Sequence, residues 1–501
     1  MSSRNWRQFL VICFFLCLLA APAVAQDDSS SQSSSQSPSQ DSSQSLADVA
    51  RKLRKDTTDE VRMTDADTKK LFDSVDKIFD FSAHDSGMPK HASVKRRLVS
   101  KADVEKFASG ALAKEEFTQR FAQEELSMKK LGFLPRDFNL REFLVKSTGQ
   151  EIAAYYDNET KTVNMLNWVP PDRQEPILAH ELTHALRRNL VDTPDLIYSM
   201  EEPAVKAVAD SQMLHDAPMI LRESGSFAYN EGLIFEGELL HKGGKGMAFA
   251  GAFARPPRNS HEVLQPEAYL NSEKLRPIGV PDLKQLLGGQ YDVFDSGGIG
   301  QLDVRAYLKQ YGERKNADDI SSAWQGGAYM TFRRKDAAKA KDNNDKVASD
   351  SSATTADLAL LYVSRWKTPQ AAERFARFYA NAVAQRYHTA TVESVPACSG
   401  ATCPVSSAQI ATEEGPVVVE HWGDNSVIVS EGFDSTTGAK VHGAVRDGAA
   451  AVHAENLPQD FQPDFPQDEI GLRLYEIPAF RVFAEEIGIQ IARAMVEASG
   501  R

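Results

Sequence analysis

Hydrophobic positions along this chain change their period several times, and each change marks an expected boundary. From Leu46 to about Arg141 apolar residues recur at helical spacing among many charges, at Leu71, Val75, Ile78 and Phe79 and again around Phe117, Phe121 and Leu126. That pattern predicts an N-terminal helical layer. Between Glu151 and Leu166 the period shortens to two β-rich runs flanking Asp157-Asn158-Glu159-Thr160, the pattern of a hairpin. Residues 191–225 are mixed, and Phe227 to His241 returns to helical spacing. Arg333 to Ala356 is rich in Lys, Asp, Asn, Ser and Ala and predicts a solvated insertion or linker. Beyond it Leu358 to Val363 predicts a buried strand and Gln370 to Gln385 an amphipathic helix. Val417 to Trp422 and Val427 to Val429 flank a Gly423-Asp424-Asn425 turn as a second hairpin, and residues 477–497 predict a closing helix. The expected fold class is therefore α+β.

The first residues have a different grammar. Arg4 and Arg7 precede an apolar run from Phe9 to Ala21, which ends in Ala23-Val24-Ala25 before Gln26. This predicts a cleaved secretory signal over 1–25, too short for a comfortable membrane span, with export to a periplasmic or extracellular location. Cys13 and Cys17 lack the small preceding residue of a lipidation site, and no later segment predicts an integral membrane span. Residues 26–46 are almost wholly Ser, Gln and Asp and are expected to be a disordered tether. Loss of Arg4 and Arg7 takes the net charge from −13 to −15. With no Lys/Arg-rich stripe to displace counterions from phosphates, nucleic acid is not an expected partner. Cys398 and Cys403, separated by Ser-Gly-Ala-Thr in an exported chain, predict a loop disulfide.

Candidate chemistry concentrates in Pro176-Ile-Leu-Ala-His180-Glu181-Leu-Thr-His184-Ala-Leu186. On a helix, His180 and His184 fall one turn apart and can reach one Zn²⁺, while Glu181 faces a metal-held water as general base. Leu178, Leu182 and Leu186 form a separate apolar stripe able to bury the helix. A catalytic zinc needs a third protein ligand, which this segment does not supply.

The succession of the Tyr155-Tyr156-Asp157 strand, His-Glu-Leu-Thr-His-Ala-Leu, and Ile234-Phe235-Glu236-Gly237-Glu238 resembles a family of exported bacterial gluzincin-type zinc metallopeptidases, mostly uncharacterised. The likeness continues at Trp324-Gln-Gly-Gly-Ala-Tyr329 and spans roughly residues 100–440. It implies a zincin-like metallopeptidase core, with Glu236 as third metal ligand and, in the Glu151–Leu166 hairpin, a strand that can pair with an extended peptide substrate. Glu231, in Asn230-Glu231-Gly232, also resembles a ligand turn and competes with Glu236; Glu202, Glu223 or a histidine would be further alternatives. An oxyanion needs a donor besides the metal, for which Tyr329 is the first candidate and Tyr155 or Tyr156 the next. Arg187-Arg188-Asn189 departs from the Gln-Asp-Gln that often follows the motif in such relatives.

The expected layout is a signal over 1–25, a tether over 26–46 and a helical region over 47–145. The metallopeptidase core follows over 146–332, then the polar insertion over 333–356 and a C-terminal α+β unit with its closing helix over 357–501. Hydrolysis of a peptide or protein substrate is one expected function. A non-catalytic zinc-bearing scaffold of the cell envelope is the other, and Glu181 favours the enzyme because a structural site needs no general base there.

Overall fold

The computed structural model describes residues 63–86, 93–100, 115–147, 154–157, 160–167, 217–252, 255–275, 280–336, 353–395, 403–452 and 469–477, with a few isolated positions between and after them. Helix α1 (Asp65–Ser86) starts at a reciprocal cap: the Asp67 amide donates to Thr64 Oγ1 at 3.1 Å and the Thr64 amide to the Asp67 carboxylate at 3.3 Å. It buries Leu71, Val75 and Phe79 against a three-stranded sheet. That sheet comprises β1 (Lys95–Val99), β2 (Ala154–Asp157) and β3 (Thr162–Leu166), in the order β1-β3-β2. The β2–β3 hairpin is the one the sequence predicts. Strand β1 lies in the stretch expected to be helical; it pairs in parallel with β3, a long-range contact that local periodicity does not register.

Helices α2 (Glu115–Leu131), α3 (Leu140–Ser147), α4 (Met219–Phe227), α5 (Glu231–Lys245), α6 (Ser260–Leu264) and α7 (Pro266–Leu270) follow in order. Next comes a seven-stranded antiparallel sheet, which makes the fold a mixed α+β one. Its strands are β4 (Tyr291–Gly298), β5 (Trp324–Arg334), β6 (Leu358–Trp366), β7 (Ala390–Glu393), β8 (Ser406–Thr412), β9 (Gly415–His421) and β10 (Ser426–Glu431). They lie in the order β4-β5-β6-β10-β9-β8-β7. Strands β5 and β6 pair along their length, Trp324 opposite Trp366 and Phe332 opposite Ala359, so the sheet draws strands from both sides of the polar stretch 333–356.

Strand β6 reads Leu-Ala-Leu-Leu-Tyr-Val because both its faces are covered. Leu360 and Tyr362 join the core built with α8 (Gln301–Gln310) and α9 (Pro369–Arg386), whereas Ala359, Leu361 and Val363 face α10 (Ser435–Val452) through Val441 and Val445. Pro369 opens α9 behind Thr368, whose hydroxyl accepts the Ala371 amide. The β9–β10 turn places Asn425 at φ 63°, a left-handed conformation that asparagine tolerates. Between β7 and β8 the expected disulfide joins Cys398 to Cys403. Of the closing segment, Phe480, Phe483, Ala484 and Ile487 are helical and buried in the larger core. No described helix is long and apolar enough to cross a membrane.

Candidate metal centre

His180, Glu181, His184 and Glu202 lie outside the described residues, as do the side chains of Tyr155 and Tyr156. The approach to the motif is described at Gln174 and Leu178, both helical and both fully buried. Gln174 clamps β3 with its amide: Nε2 donates to the Leu166 carbonyl at 2.8 Å and Oε1 accepts the Leu166 amide at 3.0 Å. Leu178 packs with Val75, Val163 and Met165. The first leucine of the expected stripe is thus in the core between α1 and the three-stranded sheet. In that sheet β2 bonds to β3 alone among the described strands, which leaves it an edge.

Glu236 stands on the buried face of α5, with Leu233 three positions before it and Leu239 and Leu240 three and four after. The apolar stripe that docks the helix therefore carries a carboxylate into the core. Glu236 is fully buried, and neither carboxylate oxygen has a hydrogen-bond partner among the described residues. Burial pushes its pKa well above the usual carboxylate range. Its surroundings are aromatic: Phe235 meets Tyr269 edge-on with ring centroids 5.0 Å apart, and the Tyr269 phenol is held high by burial, the Arg255 guanidinium opposing, with Glu262 and Glu236 adding to the rise. Arg255 sits over the Tyr269 ring at 3.6 Å and contributes no bond to Glu236.

The competing carboxylates are engaged. Arg305 Nη1 lies 2.7 Å from Glu231 Oε1, and Arg305 Nε lies 2.9 Å from Glu223 Oε2. Lys309 also holds Glu223, at 2.9 Å. Burial opposes ionisation of Glu223, but Arg305 and Lys309 outweigh it and keep its pKa below the usual value. On a regular helix, residues five apart point about 140° away from each other. Glu231 accordingly reaches Arg305 on α8 while Glu236 points into the core.

Tyr329, on β5, belongs to a different cluster. Its hydroxyl donates to Asp295 Oδ2 at 2.6 Å and accepts from Arg473 Nη1 at 2.7 Å; Arg473 also binds Glu124 at 2.8 Å. Burial raises the Tyr329 phenol well above its usual value, against the pull of Arg473. Sequence reasoning singled out Tyr329 but missed Arg473, Asp295 and Glu124, because residues 124, 295 and 473 share no local pattern and meet only through the fold. Among the described residues no three His, Cys, Asp or Glu side chains gather as a metal group.

One family model matches the chain: a domain of unknown function (DUF8575), over residues 289–442. The match runs from β4 into α10 and takes in Tyr329, but it stops short of both Glu236 and the His180–His184 segment. No curated protein and no solved structure matches.

Proposed function

We propose that this chain is an exported zinc-dependent metallopeptidase of the gluzincin type, with a zincin-like core in which His180, His184 and Glu236 hold the metal. The observation that carries the reading is Glu236. A carboxylate buried without a donor or cation costs several kcal/mol, on the order of 2–7 for an uncompensated polar group, and a metal ion supplies the missing charge. The donor set, two imidazoles and one carboxylate, suits Zn²⁺ and leaves a position for water. Glu231, the rival ligand, already has a cationic partner in Arg305.

Zinc in such a site supplies Lewis acidity, polarising a peptide carbonyl and making a coordinated water acidic. The Glu181 carboxylate would accept a proton from the attacking water and deliver it to the departing amine. Strand β2, an edge among the described strands, would offer backbone groups to an extended substrate. Tyr329 would serve the oxyanion only by leaving Asp295 or Arg473, which hold its hydroxyl.

The test of the enzyme reading is Glu181→Gln. The amide keeps size and hydrogen bonding but cannot accept the proton, so the variant is expected to retain zinc and lose cleavage of an unbiased peptide library by at least about a hundredfold. Cleavage at the parental rate would refute the mechanism.

A further inference from the structure

His261, on α6, is 1 % exposed, and its two ring nitrogens have unequal surroundings. Nδ1 lies 2.7 Å from Gln301 Oε1 and 3.1 Å from Gln265 Nε2. The neighbouring amides are oriented from outside: Gln265 Nε2 donates to the Ser322 carbonyl at 3.1 Å, and the Lys367 ammonium donates to Gln265 Oε1 at 3.3 Å. The Gln301 atom 2.8 Å from Gln265 Nε2 must then be an acceptor. Nδ1, facing that same oxygen, carries the ring proton, and Nε2 presents a bare lone pair.

Nε2 has no hydrogen-bond partner among the described residues, and Glu273 Oε2 stands 3.8 Å from it. With the proton on Nδ1, Nε2 and Glu273 Oε2 face each other as acceptors, while the other carboxylate oxygen accepts from Gln325 Nε2 at 3.4 Å. Glu273 is held in place by its backbone: its amide donates to the Ala268 carbonyl at 2.8 Å and its carbonyl accepts Arg258 Nη2 at 2.6 Å. His442 shows the contrasting arrangement, with Nδ1 2.8 Å from Glu420 and Nε2 2.9 Å from Ser430, a ring with both nitrogens occupied in fastening α10 to the sheet.

We infer that His261 Nε2 and the Glu273 carboxylate form a second metal site, which takes a divalent transition-metal ion of the zinc class with water completing its coordination. Two ligands about 2.1 Å from a tetrahedral ion stand about 3.4 Å apart, so the separation of 3.8 Å has to close by only about 0.4 Å. The Nδ1–H bond to Gln301 is the outer contact that metal-binding histidines use to fix their tautomer. The Glu273 side chain is 38 % exposed and gives the ion its way in from solvent. None of these residues belongs to the His180–His184 segment, so the site stands or falls separately from it. Trp324 provides a reporter, its indole centroid 5.8 Å from that of the imidazole.

The experiment uses the full mature chain, stripped with chelator, in the His180→Ala/His184→Ala background. Equilibrium dialysis against Zn²⁺ is expected to find one equivalent bound in that background, and Cu²⁺ is expected to quench indole emission that Trp324→Phe removes. Adding Glu273→Gln is expected to weaken zinc binding at least tenfold, and His261→Gln to do the same. Glu273 is partly exposed, so its variant folds even if His261→Gln does not. Absence of zinc binding in the background protein, or binding unchanged by Glu273→Gln, would overturn the inference. Two zinc equivalents in the parent and one in the double-alanine background would support both sites, whereas a parent that binds a single equivalent, kept without the motif histidines but lost with Glu273→Gln, would support this site and remove the peptidase reading.

Discussion

Glu431 and Glu236 are equally remote from solvent, each fully buried, yet their surroundings are opposites. Glu431 accepts from Arg386 Nη1 at 2.8 Å and Nη2 at 2.9 Å, and from the hydroxyls of Tyr379 at 2.7 Å and Tyr387 at 2.6 Å. Burial works against its charge, but Arg386 and Lys130 outweigh that and keep its pKa below the usual value. Glu236 has the same burial and none of these donors, so desolvation acts alone. The difference separates two uses of a buried carboxylate. Around Glu431 the protein satisfies its own charge and ties the end of α9 to β10. Around Glu236 no donor or cation comes from the described residues, and the proposed metal would supply the missing charge.

The comparison can be broken at either carboxylate. The largest effect is expected from Glu431→Gln, which leaves the buried Arg386 guanidinium uncompensated; urea denaturation should record a loss of about 3–5 kcal/mol. A loss below about 1 kcal/mol would show that the tyrosines alone hold this junction. A smaller loss, about 1–3 kcal/mol, is expected for Tyr329→Phe, because Asp295 and Arg473 each forfeit a buried hydrogen bond. Peptide cleavage, corrected for the folded fraction, should then stay near the parental rate. A collapse in turnover with stability intact would instead place the Tyr329 hydroxyl in the chemistry.

Elements whose signal is local were legible in the sequence. The β2–β3 hairpin, strand β6, helix α9, the β9–β10 hairpin and the Cys398–Cys403 bond all follow from spacing within about twenty residues. Pairings between distant segments were not. Lys95–Val99 reads Lys-Arg-Arg-Leu-Val, with no alternation of charged and apolar residues to set it apart from a helical region, and it becomes a strand by pairing with β3. Polar residues 333–356 suggested a division of the chain, yet β5 and β6 pair from either side of it. At the site, Glu236 could be picked from its motif, but that Arg305 would occupy Glu231 depended on α8 packing near the start of α5. The His261 pairing with Glu273 left no trace in the motif search, since a single histidine in Ser-His-Glu is ordinarily a core residue.

The claim on which the peptidase reading rests is that Glu236, not Glu231, is the third ligand. Zinc retained after exhaustive dialysis, measured in Glu236→Gln and Glu231→Gln beside the parent, all carrying Glu273→Gln, tests it most directly. Glu236→Gln is expected to lose most of the tightly held zinc while the metal-free protein stays at least as stable as the metal-free parent, because a buried uncompensated acid has been replaced by a neutral amide. Glu231→Gln is expected to keep its zinc and lose some stability, because Arg305 forfeits one of its carboxylate partners while keeping Glu223. Full zinc in Glu236→Gln, with loss in Glu231→Gln, would contradict the assignment.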